Sequence, residues 1–185
     1  MKLNESIKIF VYNLTPEKGD VNPQEDKQVK VVKWMPGITR FIPPNSPSIY
    51  LSFWVAHFLN IFKNREYCAY AIYKEEQPIC SLVCVPAMYR WSFMEPGDLQ
   101  IKNVYTREKY RGRGYAYFLI QYAIRDMVKE GKEMVFWYMT DENNIPSQKL
   151  CKKAGFRYVG EYSRTRNKLF LYKGKILPVE GRIEG

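Results

Sequence analysis

The feature that most constrains this chain is a basic, glycine-rich turn between a predicted strand and a predicted helix. It spans residues 104–116 and reads V-Y-T-R-E-K-Y-R-G-R-G-Y-A. Before it, apolar Leu99 and Ile101 alternate with polar residues, and after it residues 115–128 carry apolar side chains at helical spacing. The first N–H groups of such a helix have no intrahelical acceptor and lie at the positive end of its dipole. The turn is therefore typical of a phosphate-binding site.

The residue types within the turn favour the same chemistry. Gly112 and Gly114 allow a tight bend and let an anion approach without a Cβ in the way. Arg111 and Arg113 add positive charge to the approach. A basic loop that binds nothing is the alternative interpretation.

Two common phosphate-binding patterns do not fit this turn. The P-loop requires Lys-Ser/Thr after its last glycine, where this chain has Tyr115 and Ala116. The dinucleotide-binding fingerprint requires a third glycine at about the place of Tyr117, and it normally follows an early strand.

A third pattern does fit. The run Arg111-x-x-Gly114-x-Ala116 resembles the Q/R-x-x-G-x-G/A signature of the GNAT superfamily of acetyl-CoA-dependent N-acetyltransferases. The preceding residues also resemble that family's passage from strand to loop, at Val104-Tyr105-Thr106 and Tyr110.

A second stretch, one helix and one strand downstream, resembles the other GNAT signature. It reads Asn144-x-x-Ser147-x-x-Leu150-Cys151-x-Lys153-x-Gly155-Phe156. In that signature an asparagine precedes a short helix that ends in a Gly-Phe turn. The two signatures together cover residues 98–156. Cys151 departs from the pattern, because family members often carry there a tyrosine that protonates the departing CoA thiolate.

The resemblance implies an N-acetyltransferase that moves an acetyl group from acetyl-CoA to a primary amine by direct attack in a ternary complex. The backbone of the 104–106 strand would pair with the pantetheine, and one of its N–H groups would polarise the thioester carbonyl. The 111–116 loop would hold the pyrophosphate. The implied cofactor-binding residues are Val104, Tyr105, Thr106, Arg111, Gly112, Arg113, Gly114, Tyr115, Ala116, Asn144 and Ser147.

Asp98 is the candidate general base. It lies near the start of the strand before the first signature, where some family members keep a catalytic glutamate. A carboxylate needs burial or a neighbouring anion to raise its pKa into a useful range. However, Pro96-Gly97-Asp98 also reads as an ordinary turn, and many enzymes of this family can deprotonate the amine through water.

Cys151 is the second candidate catalytic residue, either as the general acid or as the site of an acetyl-cysteine intermediate. A thiol is a weak hydrogen-bond donor, so a hydroxyl of Tyr138, Tyr158 or Tyr162, or bulk water, could protonate the thiolate instead. A cysteine on a helix beside a Gly-Phe turn is more often a packed residue. The hypothesis is therefore that Cys151→Ala keeps most of the turnover.

Composition leaves a second class of function open. The chain carries 29 Lys and Arg against 19 Asp and Glu, a formal charge of +10, which suits polyanionic CoA. No recognised nucleic-acid motif accompanies the charge, so nucleic acid is not the expected partner, although Tyr110 and Tyr115 could stack on bases. The alternative to an enzyme is a GNAT scaffold that binds acyl-CoA or another anion with little turnover.

The pattern of elements predicts one α/β (α+β) domain over residues 1–178. The resemblance implies a GNAT-like fold with a central mixed, mostly antiparallel sheet flanked by helices. Residues 179–185 resemble a linker or tag remnant. Strands are predicted at 7–14, 27–34, 67–73, 79–85, 99–102, 133–139, 157–163 and 169–172, and helices at 49–64, 115–128 and from 145. The segments 15–25, 35–48 and 88–97 are predicted loops, and 164–168 joins the last two strands.

The remaining features point away from a metal or a membrane. The single histidine, His57, lies on an apolar helical pattern and is expected to be packed, not a ligand. Cys80 and Cys84 share one strand face, and with Cys68 and Cys151 are expected to be reduced thiols of a cytoplasmic protein. No secretory signal or membrane span is predicted. The expected partners are acetyl-CoA and an amine, and a homodimer is left open.

Overall fold

The chain folds around one large sheet. The computed structural model describes residues 4–13, 29–40, 51–87, 93–128, 134–166, 172–173 and 176–178. Within them lie β1 (Asn4–Asn13), β2 (Val29–Trp34), α1 (Leu51–Phe58), β3 (Cys68–Lys74), β4 (Gln77–Pro86), β5 (Leu99–Thr106), α2 (Tyr115–Met127), β6 (Val135–Asp141), α3 (Ile145–Lys153), β7 (Arg157–Arg166), β8 (Tyr172–Lys173) and β9 (Ile176–Pro178). A short 3-10 helix occupies Glu108–Tyr110.

The strand order is β2-β3-β4-β5-β6-β1-β7-β8, with β9 also paired to β7. The β5–β6 pair is parallel, because α2 carries the chain back between them, and the other described pairs are antiparallel. The prediction of an α+β fold with a mixed, mostly antiparallel sheet is confirmed.

Alternation along β4 shows how the two faces of the sheet are covered. Leu82 and Cys84 join the core cluster that contains the buried side of α2 and Cys151 of α3. Val83 and Val85 point the other way, into a cluster with Ala56 of α1. The sheet is therefore a layer between α2 and α3 on one face and α1 on the other.

The first helix is shorter than its pattern predicts. The described helix ends at Phe58, whereas apolar spacing extended the prediction to Asn64. Asn60 takes φ 56°, the Asn60 N–H donates to His57 O at 3.3 Å, and the Ile61 N–H donates to Ala56 O at 2.9 Å. This pair of bonds closes the helix around a left-handed residue. Asn60 could have indicated the end of the helix, but the prediction used the apolar periodicity alone.

The carboxyl-terminal hairpin also differs from the prediction. Strand β7 continues to Arg166, through the start of the turn predicted at 164–168, because Glu5 and Asn4 of β1 still pair with Arg164 and Thr165. Strand β9, which pairs with Gly160–Tyr162 of β7, was not predicted. Of the predicted strand at 169–172 only its last residue is described. The predicted loop at 15–25, residues 41–48 and 88–92 of two further loops, and the tail at 179–185 lie outside the described residues.

A bulge in β5 shapes the centre of the sheet. Ser81 pairs with Tyr105 and Val83 pairs with Lys102. Between these two pairs β5 advances by three residues and β4 by only two. Asn103 takes φ 50° within this step. Beyond it β5 has no described partner in β6, since their pairing covers only Leu99–Ile101 against Phe136–Tyr138. The bulge thus opens a wedge between two parallel strands.

Candidate active site

A cavity of about 620 Å³ lies in this wedge, between the end of β5, the loop before α2, and α3. Both sequence signatures line it. Ten of the eleven predicted cofactor-binding residues contribute: Val104, Tyr105, Thr106, Arg111, Gly112, Gly114, Tyr115, Ala116, Asn144 and Ser147. The two signatures, more than 25 residues apart in the chain, therefore line the same cavity. That they hold a cofactor stays a prediction.

The loop before α2 is tied to β4 and to the end of β5. The Arg107 N–H donates to Ile79 O at 2.9 Å, and Arg111 Nε donates to Thr106 O at 3.1 Å. The loop then turns through two glycines with positive φ, 76° at Gly112 and 82° at Gly114, the residue that caps α2. Such φ values disfavour any residue with a Cβ.

The space above these two glycines is open. A Cβ built on either one would meet no atom within 4 Å. Within α2 the first backbone bond runs from the Phe118 N–H to Gly114 O, and the N–H groups of the first turn lie at the positive end of the helix dipole. Both features suit a bulky anion that approaches the backbone.

Cations and aromatic rings surround the loop. Lys109 Nζ lies 5.0 Å and Arg113 Cζ 5.8 Å from the ring centre of Tyr110. Arg113 is the one predicted cofactor-binding residue that does not line the cavity. On the α3 side, Lys153 Nζ lies 5.4 Å from the ring centre of Tyr117, and both of these residues do line the cavity.

The second signature begins with a capped helix. Asn144 Oδ1 accepts a hydrogen bond from the Ser147 N–H at 3.1 Å, as an N-cap side chain does. Below it, the largely buried Gln148 donates from Nε2 to Glu142 O at 2.7 Å. At the other end Gln121 of α2 donates from Nε2 to Ala154 O at 2.8 Å. These bonds hold Ser147 against the cavity.

Cys151 lies below the cavity lining, fully buried in the core between α3 and the sheet. Burial raises the pKa of its thiol to about 12, which neighbouring Lys152 opposes. The thiol is therefore neutral at physiological pH and is a poor nucleophile. The catalytic assignment of Cys151 stays a prediction that this placement does not favour.

Asp98 directly precedes β5 and does not line the cavity. Its Oδ2 accepts hydrogen bonds from Trp137 Nε1 at 2.7 Å and from the Glu95 N–H at 2.9 Å. Burial raises the pKa of the carboxyl group, and these two bonds oppose the rise. Val104 lies six residues further along the chain, at most about 20 Å away. Asp98 closes the 95–98 turn, and its role as base stays a prediction.

His57 does not line the cavity. His57 lies on α1 with its ring 5.3 Å from that of Phe58, and burial, then Arg65, lowers its pKa. Among the described residues, no group of three or more His, Cys, Asp or Glu side chains could hold a metal ion. No helix in the described part of the chain is long and apolar enough to span a membrane.

Sequence reasoning did not assign six further cavity residues to the cofactor site. They are Tyr110, Tyr117, Tyr138, Pro146, Leu150 and Lys153. Leu150 and Lys153 lie within the second signature, so their spacing from Ser147 could have placed them at the cofactor site. Tyr138 lies on β6, and only the parallel pairing of β6 with β5 brings it to the wedge.

The chain resembles known proteins in sequence and in fold. The model of the Acetyltransferase (GNAT) family matches residues 35–156. No curated protein sequence matches the chain. Among solved structures, a protein assigned to the GNAT family of acetyltransferases from Novosphingobium aromaticivorans is 18% identical with a TM-score of 0.52, over 88% of this chain and 64% of that one. A GCN5-related N-acetyltransferase from Sphaerobacter thermophilus is 15% identical with a TM-score of 0.57, over 95% and 53%.

At these identities the structures show a shared fold, and the chain spans less than two thirds of either one. A third structure, the aminoglycoside N-acetyltransferase AAC(6')-Iy in complex with CoA, is 16% identical with a TM-score of 0.47, over 69% of this chain and 91% of that one.

Proposed function

The chain belongs to the acetyltransferase (GNAT) family, and from that premise we propose that it transfers an acetyl group from acetyl-CoA to a primary amine by direct attack. The observation that carries this proposal is the cavity in which both signatures meet. The acceptor is proposed only as an amine, and a ternary complex is the proposed arrangement of the two substrates.

The residues of the cavity fit acetyl-CoA. A volume of about 620 Å³ is within the usual range for small-molecule sites. The open space above Gly112 and Gly114, with the start of α2 behind it, suits a pyrophosphate. Lys153 and Arg111 on the cavity wall supply charge that a polyanion needs.

The chain's own groups would divide the work of the reaction. Beyond the bulge, the backbone of Val104–Thr106 has no described partner in β6. Its polar groups on that side, apart from the Thr106 carbonyl that accepts from Arg111 Nε, can therefore pair with an extended pantetheine arm. An N–H there would polarise the thioester carbonyl and stabilise the negative charge that develops on its oxygen. Asn144 and Ser147 would line the same arm. Deprotonation of the amine is assigned to Asp98 or to water.

The test is calorimetric titration of acetyl-CoA into the wild type, Gly114→Asp and Gly114→Asn. Asp and Asn have the same shape and both tolerate the left-handed backbone of Gly114, so they differ only in charge. We expect binding to the wild type, weaker binding to the Asn variant, and at least tenfold weaker binding still to the Asp variant. Equal affinities of the two variants would contradict the anion cradle.

Turnover is then measured as CoA release with a panel of aliphatic, aromatic and peptide amines. Amine-dependent release supports the transferase. Binding of acetyl-CoA without release from any amine would favour the alternative, a scaffold that binds acyl-CoA with little turnover.

A further inference from the structure

Tyr138 stands at the point where the two parallel strands separate. It pairs with Ile101 and is the last residue of β6 with a described partner in β5. Its side chain is only 5% exposed, yet it forms part of the cavity wall. The ring of Phe156 packs against it, 5.7 Å between centres at 66°. The phenol is therefore packed at the closed end of the wedge.

The hydroxyl of Tyr138 has one described polar partner. It lies 2.9 Å from Ser147 Oγ, and Ser147 is itself a half-buried cavity residue that the cap of Asn144 holds in place. Burial raises the pKa of the phenol, the bond to Ser147 opposes the rise, and the nearby Cys151 adds to it. The phenol is therefore protonated at physiological pH and can donate its proton.

We propose that Tyr138 donates the proton to the departing CoA thiolate, and that the Ser147 hydroxyl connects the phenol to solvent. This inference rests on the acetyltransferase proposed above. It assigns the acid role to a strand residue that the sequence offered only as one of three alternative tyrosines, whereas the family pattern places the acid at position 151 of α3. The small side chain of Cys151 lies beneath Tyr138 in the same core cluster.

The step balances without another reactant. The amine nitrogen forms a bond to the carbonyl carbon, the carbon–sulfur bond breaks, and its electron pair stays on sulfur. The Tyr138 proton passes to that sulfur. The phenolate regains a proton from Ser147, which takes one from solvent, and the proton lost by the amine returns to solvent.

Several other candidate donors are placed less well. The hydroxyl of Tyr158 lies 3.2 Å from Glu161 Oε1, and Tyr158 does not line the cavity. Tyr110, Tyr115 and Tyr117 line it at the basic loop, the proposed pyrophosphate end. The Cys151 thiol is a weaker donor that lies beneath the lining.

The test compares Tyr138→Phe with Tyr122→Phe, which removes the hydroxyl of a half-exposed tyrosine on α2 that does not line the cavity. Phenylalanine keeps the ring packing of Tyr138. We expect Tyr138→Phe to bind acetyl-CoA within twofold of the wild type and to lose roughly 10²-fold in kcat, as removal of a general acid does. The wild-type kcat should fall at alkaline pH as the phenol loses its proton, and this fall should be absent in Tyr138→Phe. Tyr122→Phe should match the wild type in both measurements.

A second readout needs no acceptor amine. The thiol of bound CoA is titrated by the ultraviolet absorbance of its thiolate. A hydrogen bond from Tyr138 stabilises the thiolate, so the thiol pKa in the wild-type complex should be about one unit below that in Tyr138→Phe.

These measurements separate the two proposals. Unchanged kcat and unchanged thiol pKa in Tyr138→Phe, with acetyl-CoA still bound, would overturn the role of Tyr138 and leave the transferase standing. A loss of kcat matched by an equal loss of acetyl-CoA affinity would make Tyr138 merely structural and would also overturn it. A wild type that binds no CoA would overturn the proposed function itself.

Discussion

The backbone of Gly155 passes directly against the ring of Tyr12, so that a Cβ at Gly155 would lie 2.9 Å from Tyr12 Cε2. Gly155 also takes φ +89° and closes α3, with its N–H donating to Lys152 O at 3.0 Å and the next N–H, of Phe156, to Cys151 O at 3.1 Å. One glycine thus ends the helix and lets β1 approach it.

Gly155→Ala is therefore expected to destabilise the fold by about 1–3 kcal/mol, because it combines a disfavoured φ with a steric clash. The free energy of unfolding is measured in urea. Gly97→Ala is the matched control: its Cβ would meet nothing within 4 Å, so a change within about 0.5 kcal/mol is expected. Equal effects of the two substitutions would contradict the contact with Tyr12.

A polar cluster ties α2 to the outer strands. Asp126 Oδ2 accepts hydrogen bonds from Lys33 Nζ at 2.7 Å and from the Tyr70 hydroxyl at 2.6 Å. Although burial opposes it, these bonds lower the pKa of Asp126. The lysine and aspartate side chains are 36% and 35% exposed, so solvent screens the ion pair.

Asp126→Asn is expected to cost about 0.5–1 kcal/mol at pH 7. A carboxyl group with a lowered pKa stabilises the fold above its unfolded pKa, about 3.9, and loses that contribution as pH falls through the folded value. The stability gap between wild type and variant should therefore narrow between pH 5 and pH 3. A gap that stays constant over that range would rule out the carboxylate as its source.

Cys151→Ala is expected to keep most of the turnover, since the buried thiol of pKa about 12 contributes packing and little chemistry. The small void should cost on the order of 1 kcal/mol of stability. Steady-state kinetics and acetyl-CoA titration are measured together. Loss of turnover with acetyl-CoA binding intact would restore Cys151 as a catalytic residue.

Asp98→Asn and Asp98→Ala distinguish a structural role of Asp98 in the 95–98 turn from a role as the general base. Asp98→Asn keeps an oxygen that can accept from Trp137 Nε1, so stability and turnover should stay close to those of the wild type. Asp98→Ala leaves that indole N–H without this acceptor and is expected to cost about 1–3 kcal/mol. A stable Asp98→Asn variant whose kcat falls tenfold or more, with acetyl-CoA affinity unchanged, would identify Asp98 as the base.

Local patterns were sufficient wherever a segment's own chemistry decides its conformation. Alternation placed the strands around Cys80 and Leu99, and helical spacing placed α2 almost to the residue. Gly112 and Gly114 identified the tight turn, because a positive φ is costly for most other residues. Asn144 marked the start of α3, since its side chain caps the helix that follows.

Tertiary structure decided which of these segments meet. No local signal places β1 between β6 and β7, or extends β7 through Arg166, because strand pairing depends on partners far away in the chain. The bulge at Asn103 opens the wedge, and the parallel register of Ile101 with Tyr138 brings that phenol into it. The two signatures alone predicted a site for the cofactor. The proposed proton donor, Tyr138, reaches that site only through the sheet, since its neighbours there come from other elements.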